Sequence, residues 1–114
     1  MSAETRLATY GTLAPGEVNH HQMSGMDGLW LTGRVRGQLY AEGWGADHGC
    51  PGMTPDPEGE WIDVHIFESA DLPAHWPRLD AFEGSEYQRV ELMAEVGGEI
   101  LPVSIYALNR PAEA

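Results

Sequence analysis

Two glycine-punctuated stretches, one cysteine and five histidines are the parts of this chain whose types and spacing can do chemistry. The histidines do not group. His20 and His21 are adjacent, so their rings diverge on any regular backbone, and His48, His65 and His75 stand alone; without an H-E-x-x-H pattern or a cysteine pair, no metal site is expected. Asp47-His48-Gly49-Cys50 sets a thiol two residues from an imidazole. Such a pair can be a nucleophile and its base, or a lone cysteine that packs as a small apolar residue. The first stretch, Tyr10-Gly11-Thr12-Leu13-x-x-Gly16-x-x-Asn19-His20, reads as a strand end entering a turn. Backbone N–H groups in such a turn lack a strand partner and can hold a carboxylate or a developing oxyanion; the turn can equally be an ordinary connection. The second, Leu79-Asp80-Ala81-Phe82-Glu83-Gly84-Ser85-Glu86-Tyr87-x-Arg89, puts Glu83 at the end of an expected helix. The negative end of the helix dipole and the neighbouring Phe82 both disfavour ionisation there, which suits a proton shuttle near neutral pH. The competing reading is a solvated last-turn glutamate.

The elements that must position these residues are short and strand-rich. Residues 6–10 form a brief extended run that stops at Gly11, and residues 18–23 fit one short helical turn closed by Gly25. From 29 to 39 the odd positions are apolar or glycine and the even ones polar or Trp30, a period of two that predicts a long strand with one buried face. Gly33 and Gly37 lie on that face and point to bends or close backbone approach. Residues 41–60, with five glycines and three prolines, are expected to be mostly loop. Ile62, Val64 and Ile66 alternate with polar neighbours in another strand. Asp71 and Pro73 open a helix that is expected to break and restart at Pro77, because Pro77 removes the bond to residue 73 and crowds its carbonyl. It ends near Gly84. Val90 to Val96 and Leu101 to Ala107 alternate around Gly97-Gly98 as a hairpin. These elements predict an α+β fold, with a small curled, mixed, mainly antiparallel barrel-like sheet and short flanking helices.

Composition removes several classes of function. Six basic residues stand against 18 acidic ones for a net charge of −12, and every basic residue is arginine. The absence of lysine excludes a Schiff-base lysine, a phosphate-loop lysine and a lysine general base. Neither G-x-G-x-x-G after a strand nor a phosphate loop is present, and Trp30, Trp44, Trp61 and Trp76 read as packing. Without a basic footprint, nucleic acid and membrane surfaces are not expected partners. An anionic group would be held by local backbone donors, aided by Arg6 or Arg89. The 114 residues suit one domain spanning 1–114. One cysteine, no signal pattern at the start, and no apolar run near the roughly 18 residues that span a bilayer lead to the expectation of a cytoplasmic protein.

Tyr10-Gly11-Thr12-Leu13 with Gly16, Asn19 and His20, then Gly37-x-Leu39-Tyr40, Pro51-Gly52-Met53, and Leu79-Asp80-x-x-Glu83-Gly84 followed by Tyr87-x-Arg89, extend from about Leu7 to Leu108. In order and spacing this set resembles the γ-glutamylcyclotransferase-like superfamily, on its γ-glutamylamine cyclotransferase and AIG2-like branch. The resemblance implies a small mixed barrel, Glu83 as the catalytic carboxylate, and a substrate pocket lined by Tyr10, Gly11, Thr12 and Leu13 with their backbone donors. It also implies an intramolecular transamidation, in which the α-amino group of a γ-glutamyl compound attacks its own γ-carbonyl to give 5-oxoproline and a free amine. Tyr87 and Tyr106 are candidates for a pocket wall or a hydroxyl donor. The expected partner is a small γ-glutamyl substrate, with no cofactor or metal, on a monomer or homodimer. The alternative is a non-catalytic member that binds a small amino-acid-like ligand. Residues 43–50 look like an insertion, and the strand at 62–67 lacks a Gly-Glu pair often found in the family, which leaves the departing amine open.

Overall fold

The alternation at residues 90–107 folds as the expected hairpin. In the computed structural model, which describes residues 2–17, 19–41 and 52–109, β5 (Tyr87–Val96) and β6 (Glu99–Leu108) pair antiparallel from Tyr87↔Leu108 to Val96↔Glu99. Gly97 and Gly98 turn the chain with φ of 57° and 86°, the left-handed geometry that a two-residue hairpin turn of this kind requires. The other strands are β1 (Arg6–Thr9), β2 (Leu29–Tyr40), β3 (Gly52–Pro55) and β4 (Glu60–Glu68), with one helix, α1 (Leu72–Glu83), and 3-10 turns at Ala3–Thr5 and His20–Met23.

The strands close on themselves. β2 pairs antiparallel with β4, β4 antiparallel with β1, β1 parallel with β6, and β5 returns to β2 through Arg34↔Glu95. This five-strand ring is the mixed, mainly antiparallel barrel that the alternation predicts, and β3 extends it by pairing with the end of β2. Inward side chains such as Ala8, Val35, Met53, Ile62, Val64, Ile66, Ala94 and Ile105 fill its interior. Gly33 permits the closure, and Gly37 permits the approach of β3. A Cβ at Gly33 would lie 2.6 Å from the Glu95 carbonyl oxygen, and one at Gly37 would lie 2.5 Å from that of Thr54. Among the described residues no helix is long and apolar enough to cross a membrane.

The structure adds one strand and corrects two expectations. Within the stretch expected to be mostly loop, Gly52 to Pro55 form β3, a run too short for its alternation to be read in sequence, while residues 42–51 lie outside the described residues. The inner face of β2 is buried only at Val35 and Gly37, while Leu29 and Leu39, where the strand outruns the barrel wall, are 64% and 39% exposed. Finally, α1 runs unbroken through Pro77. An internal proline costs about 3 kcal/mol. Leu72, Trp76 and Leu79 repay more than that, since each buries a side chain worth roughly 1.5–3 kcal/mol on the single stripe that covers the barrel, and Pro77 lies on the exposed side. That stripe packs with Leu7, Phe67, Tyr87, Tyr106 and Leu108 in a second core outside the barrel.

The closure can be tested directly. Gly33→Ala forces a Cβ against a ladder carbonyl and should lower unfolding free energy by about 2 kcal/mol in urea titrations. A loss within the ~0.5 kcal/mol typical of unremarkable surface changes would contradict so tight an approach of β5 to β2.

Candidate active site

Glu83 continues the buried stripe of α1. It follows Leu79 by four residues and Trp76 by seven, so the helical repeat carries its side chain to the same face, where it is 9% exposed. Gly84, at φ 81°, ends the helix immediately after it. Burial pushes the Glu83 carboxyl from its ordinary 4.5 up to about 7. Loss of water, rather than the helix dipole, is what moves the proton affinity. A solvated last-turn glutamate is excluded.

The Glu83 charge is felt at Tyr10 and at Tyr106, and that of Tyr87 at Tyr10. The Tyr10 hydroxyl donates to the Tyr106 carbonyl at 2.7 Å and accepts from the Met53 backbone N–H at 3.1 Å, tying the end of β1 to β6 and β3. Burial drives its pKa well above the usual phenol range, against the lowering effect of the Met53 bond, with Tyr87 and Glu83 adding to the rise. Tyr106 is also held as a neutral phenol by burial, then by its bond to Asp80 and the charges of Asp80 and Glu83, against the opposing Arg89 charge. Tyr87 is buried in the cluster that contains Leu13, Leu79 and Tyr106, with Phe82 half-buried against it.

The loop after β1 has a polarity of its own. The carbonyls of Gly11, Thr12 and Leu13 accept from Ala14 N–H, from Asn19 N–H at 2.9 Å and from His20 Nδ1 at 3.0 Å, respectively. This accounts for Asn19 and His20 in the same stretch: they clamp the loop by its carbonyl side. Among the described residues, nothing accepts from the backbone N–H groups of Gly11, Thr12 and Leu13, although Thr12 and Leu13 are buried. Unsatisfied amides in such a turn suit an anion or an oxyanion.

The sequence assigns no role to Asp80 and does not show what Arg6 and Arg89 pair with. Asp80 Oδ1 accepts the Tyr106 hydroxyl at 2.6 Å and Arg89 Nε at 3.0 Å, and Oδ2 accepts from the second Arg89 nitrogen at 3.3 Å. Burial works to raise the Asp80 pKa, but the bonds from Arg89 and Tyr106 and the Arg89 charge outweigh it and hold the carboxyl below the usual carboxylate range. The Arg89 guanidinium also lies 4.3 Å from the Trp76 ring centroid. Arg6 is buried, with Nε 2.8 Å from Glu68 and Nη1 donating to the Pro102 carbonyl. Both cations thus have a carboxylate partner within the fold. The motif spacing of Asp80 and Arg89 was visible in the sequence, but the partner Tyr106, on a distant strand, was not. Cys50 and His48 lie outside the described residues. Among those residues no three His, Cys, Asp or Glu side chains converge as a metal ion would need. An open groove of about 480 Å3 on the outer wall, lined by Thr32, Arg34, Asp63, His65 and Glu95, shares no residue with the Glu83 cluster.

A closed mixed barrel of this topology, with its single covering helix, has the γ-glutamyl cyclotransferase-like fold. The chain belongs to the gamma-glutamyl cyclotransferase, AIG2-like family, whose model matches residues 7–114, and membership supports a general cyclotransferase-type function. Among solved structures, an AIG2-like protein from Mus musculus is 27% identical at a TM-score of 0.65, over 95% of this chain and 79% of that one. YkqA from Bacillus subtilis is 28% identical at a TM-score of 0.70, over 92% of this chain and 36% of YkqA, so the chain spans about a third of that protein. PH0828 from Pyrococcus horikoshii, 19% identical over 96% of this chain and 81% of its own with a TM-score of 0.64, shares the fold. Curated proteins give no match.

The buried carboxyl leaves a mark on stability. Its folded pKa of about 7 exceeds the ordinary 4.5, so the stability contributed by its protonation is full below 4.5 and lost as pH rises through 7. Glu83→Gln, neutral at every pH, should match the wild type near pH 4.5 and exceed it at pH 8 by about 3 kcal/mol in denaturant titrations. A variant no more stable than wild type at pH 8 would contradict the burial of a charged group there.

Proposed function

We propose that the protein converts a γ-glutamyl amine or γ-glutamyl peptide into 5-oxoproline and the free amine, with Glu83 as general acid and base. The observation that carries this reading is a carboxyl group buried at a helix end, where loss of water pushes its pKa up to about 7. An acid–base catalyst works best when its pKa lies near the working pH.

The reaction needs proton transfers and one acyl transfer within a single molecule. The Glu83 carboxylate takes a proton from the substrate α-ammonium, and the freed amine attacks the γ-carbonyl carbon. A C–N bond forms while the carbonyl oxygen gains negative charge, which the N–H groups of Gly11, Thr12 and Leu13 are suited to receive. The Glu83 carboxylic acid then protonates the departing nitrogen and takes the second proton from the ring nitrogen as the old C–N bond breaks. The released amine finally takes that proton and leaves as an ammonium ion, which returns Glu83 to its carboxylate. Nucleophile and electrophile share one molecule, so folding the substrate into a reactive shape can supply roughly 7–11 kcal/mol of the barrier. One positioned acid–base group contributes about 10²–10⁴-fold. Tyr10 and Tyr87 serve in this reading as walls of the pocket, since the hydroxyl of Tyr10 is already used between Met53 and Tyr106.

Incubation with γ-glutamyl amines, γ-glutamyl dipeptides and glutathione, followed by chromatographic detection of 5-oxoproline, tests the proposal. The rate should climb as pH rises through about 7, where Glu83 becomes the base. Glu83→Gln should lose at least about 10²-fold in kcat. Equal turnover by that variant removes Glu83 from its role, and ligand-induced thermal stabilisation with no 5-oxoproline from any compound would favour a binding protein.

A further inference from the structure

We propose that His20 is a positioning residue whose ring nitrogen, acting through two peptide units, aims and strengthens the Thr12 backbone N–H as a donor to the substrate γ-carbonyl oxygen. The inference rests on the cyclotransferase reading and assigns the loop after β1 a side chain that sets its donor power.

In a trans peptide the C=O of one residue and the N–H of the next lie in one plane and point opposite ways. A hydrogen bond accepted on one side therefore orients and polarises the donor on the other. From His20 a chain of such bonds runs without a gap. Nδ1 lies 3.0 Å from the Leu13 carbonyl oxygen, and because a carbonyl oxygen can only accept, Nδ1 carries the proton. The peptide unit of that carbonyl also holds the Ala14 N–H, which donates to the Gly11 carbonyl at 3.1 Å. The Gly11 carbonyl in turn shares its unit with the Thr12 N–H, from which nothing among the described residues accepts although Thr12 is buried. Polarisation adds roughly 10–30% per bond, so over two units the greater part of the effect is direction. A Leu13 carbonyl released from Nδ1 lets its peptide turn, and with it the Gly11 carbonyl and the Thr12 N–H.

The imidazole is held for this task from the barrel side. Its centroid lies 5.4 Å from the Trp30 ring on β2, and Trp30 meets Phe67 of β4 at 5.0 Å. The His20 backbone N–H donates to the Glu17 carbonyl where the 3-10 turn His20–Met23 begins, which fixes the point from which the ring projects. Leu13 packs in the same core cluster as Leu79, one helical turn before Glu83, so the loop is joined to the end of α1 by packing. The adjacent Leu13 N–H is set by a different route. It shares its peptide unit with the Thr12 carbonyl, which accepts from the Asn19 backbone N–H at 2.9 Å with no side chain involved. One buried donor of the loop thus depends on a backbone bond and the other on an imidazole, and a change at His20 separates them.

The test compares wild type with His20→Phe, which keeps an aromatic ring beside Trp30 but has no donor, and His20→Asn, whose amide nitrogen can take the place of Nδ1 without a ring. In proton–nitrogen NMR spectra, the Ala14 and Thr12 amide protons should move upfield in His20→Phe and return towards their wild-type positions in His20→Asn, while that of Leu13 stays. Shifts that follow the ring instead of the donor, or a Leu13 proton displaced as far as that of Thr12, would overturn the inference. On a γ-glutamyl compound that turns over, His20→Phe should lose about tenfold in kcat with KM within about twofold, less than the roughly 10²–10³ that outright loss of an oxyanion donor costs. His20→Asn should regain most of that loss. An unchanged kcat, a loss confined to KM, or equal losses in the two variants would each overturn the inference. His20→Leu, close to asparagine in shape but without its donor, gives the same comparison if the phenyl ring prevents folding. The expected shifts with no 5-oxoproline from any compound would refute the cyclotransferase reading and leave the relay from His20 to Thr12 standing.

Discussion

The stripe that Leu72, Trp76, Leu79 and Glu83 press against the barrel is three parts apolar and one part acid. The apolar members hold α1 in place across an internal proline, and in doing so they carry Glu83 out of water. A buried carboxylate would be costly, and the group lowers that cost by keeping its proton up to about 7. The packing that stabilises the helix therefore also sets the proton affinity of the group proposed for chemistry. Stability and function pull in opposite directions above that pH, which is the usual arrangement where a catalytic group is poised by desolvation.

Around that helix the fold uses its polar groups selectively. Tyr10 links three strands through one hydroxyl, and Asp80 joins Tyr106 to Arg89. The loop carbonyls of Gly11 to Leu13 are bonded within the chain, whereas among the described residues nothing accepts from their amides. A ring of strands without a broken circuit gives these contacts a stiff frame, since each strand of the ring is paired on both sides. The residues that form the frame and those proposed to meet substrate are neighbours in sequence but divide the available donors and acceptors between them.

Much of the frame could be read from local pattern. The hairpin around Gly97-Gly98 and the long alternation of β2 were legible because a period of two sustained over many residues leaves one consistent buried face. Gly33 and Gly37 correctly marked close backbone approach, and Gly84 the helix end. What escaped was set by contacts between distant segments. The closing bridge Arg34↔Glu95 and the short β3 have no local signature, and Pro77 argued for a break that tertiary burial overrides. At the site, the motif around Glu83 was visible but its burial was not, because that depends on which face α1 turns to the barrel. Likewise Arg6 and Arg89 looked available for an anion until Glu68 and Asp80 were brought beside them by the fold.

The central claim is that Glu83 exchanges its proton near neutrality because it is buried. A pH titration of the folded protein followed by carbon NMR, with the side-chain carboxyl carbon of glutamate isotopically labelled and the Glu83 resonance assigned by its loss in Glu83→Gln, measures this directly. The account predicts a midpoint at about 7, set apart from the solvent-exposed glutamates. A midpoint at the ordinary 4.5 would contradict it.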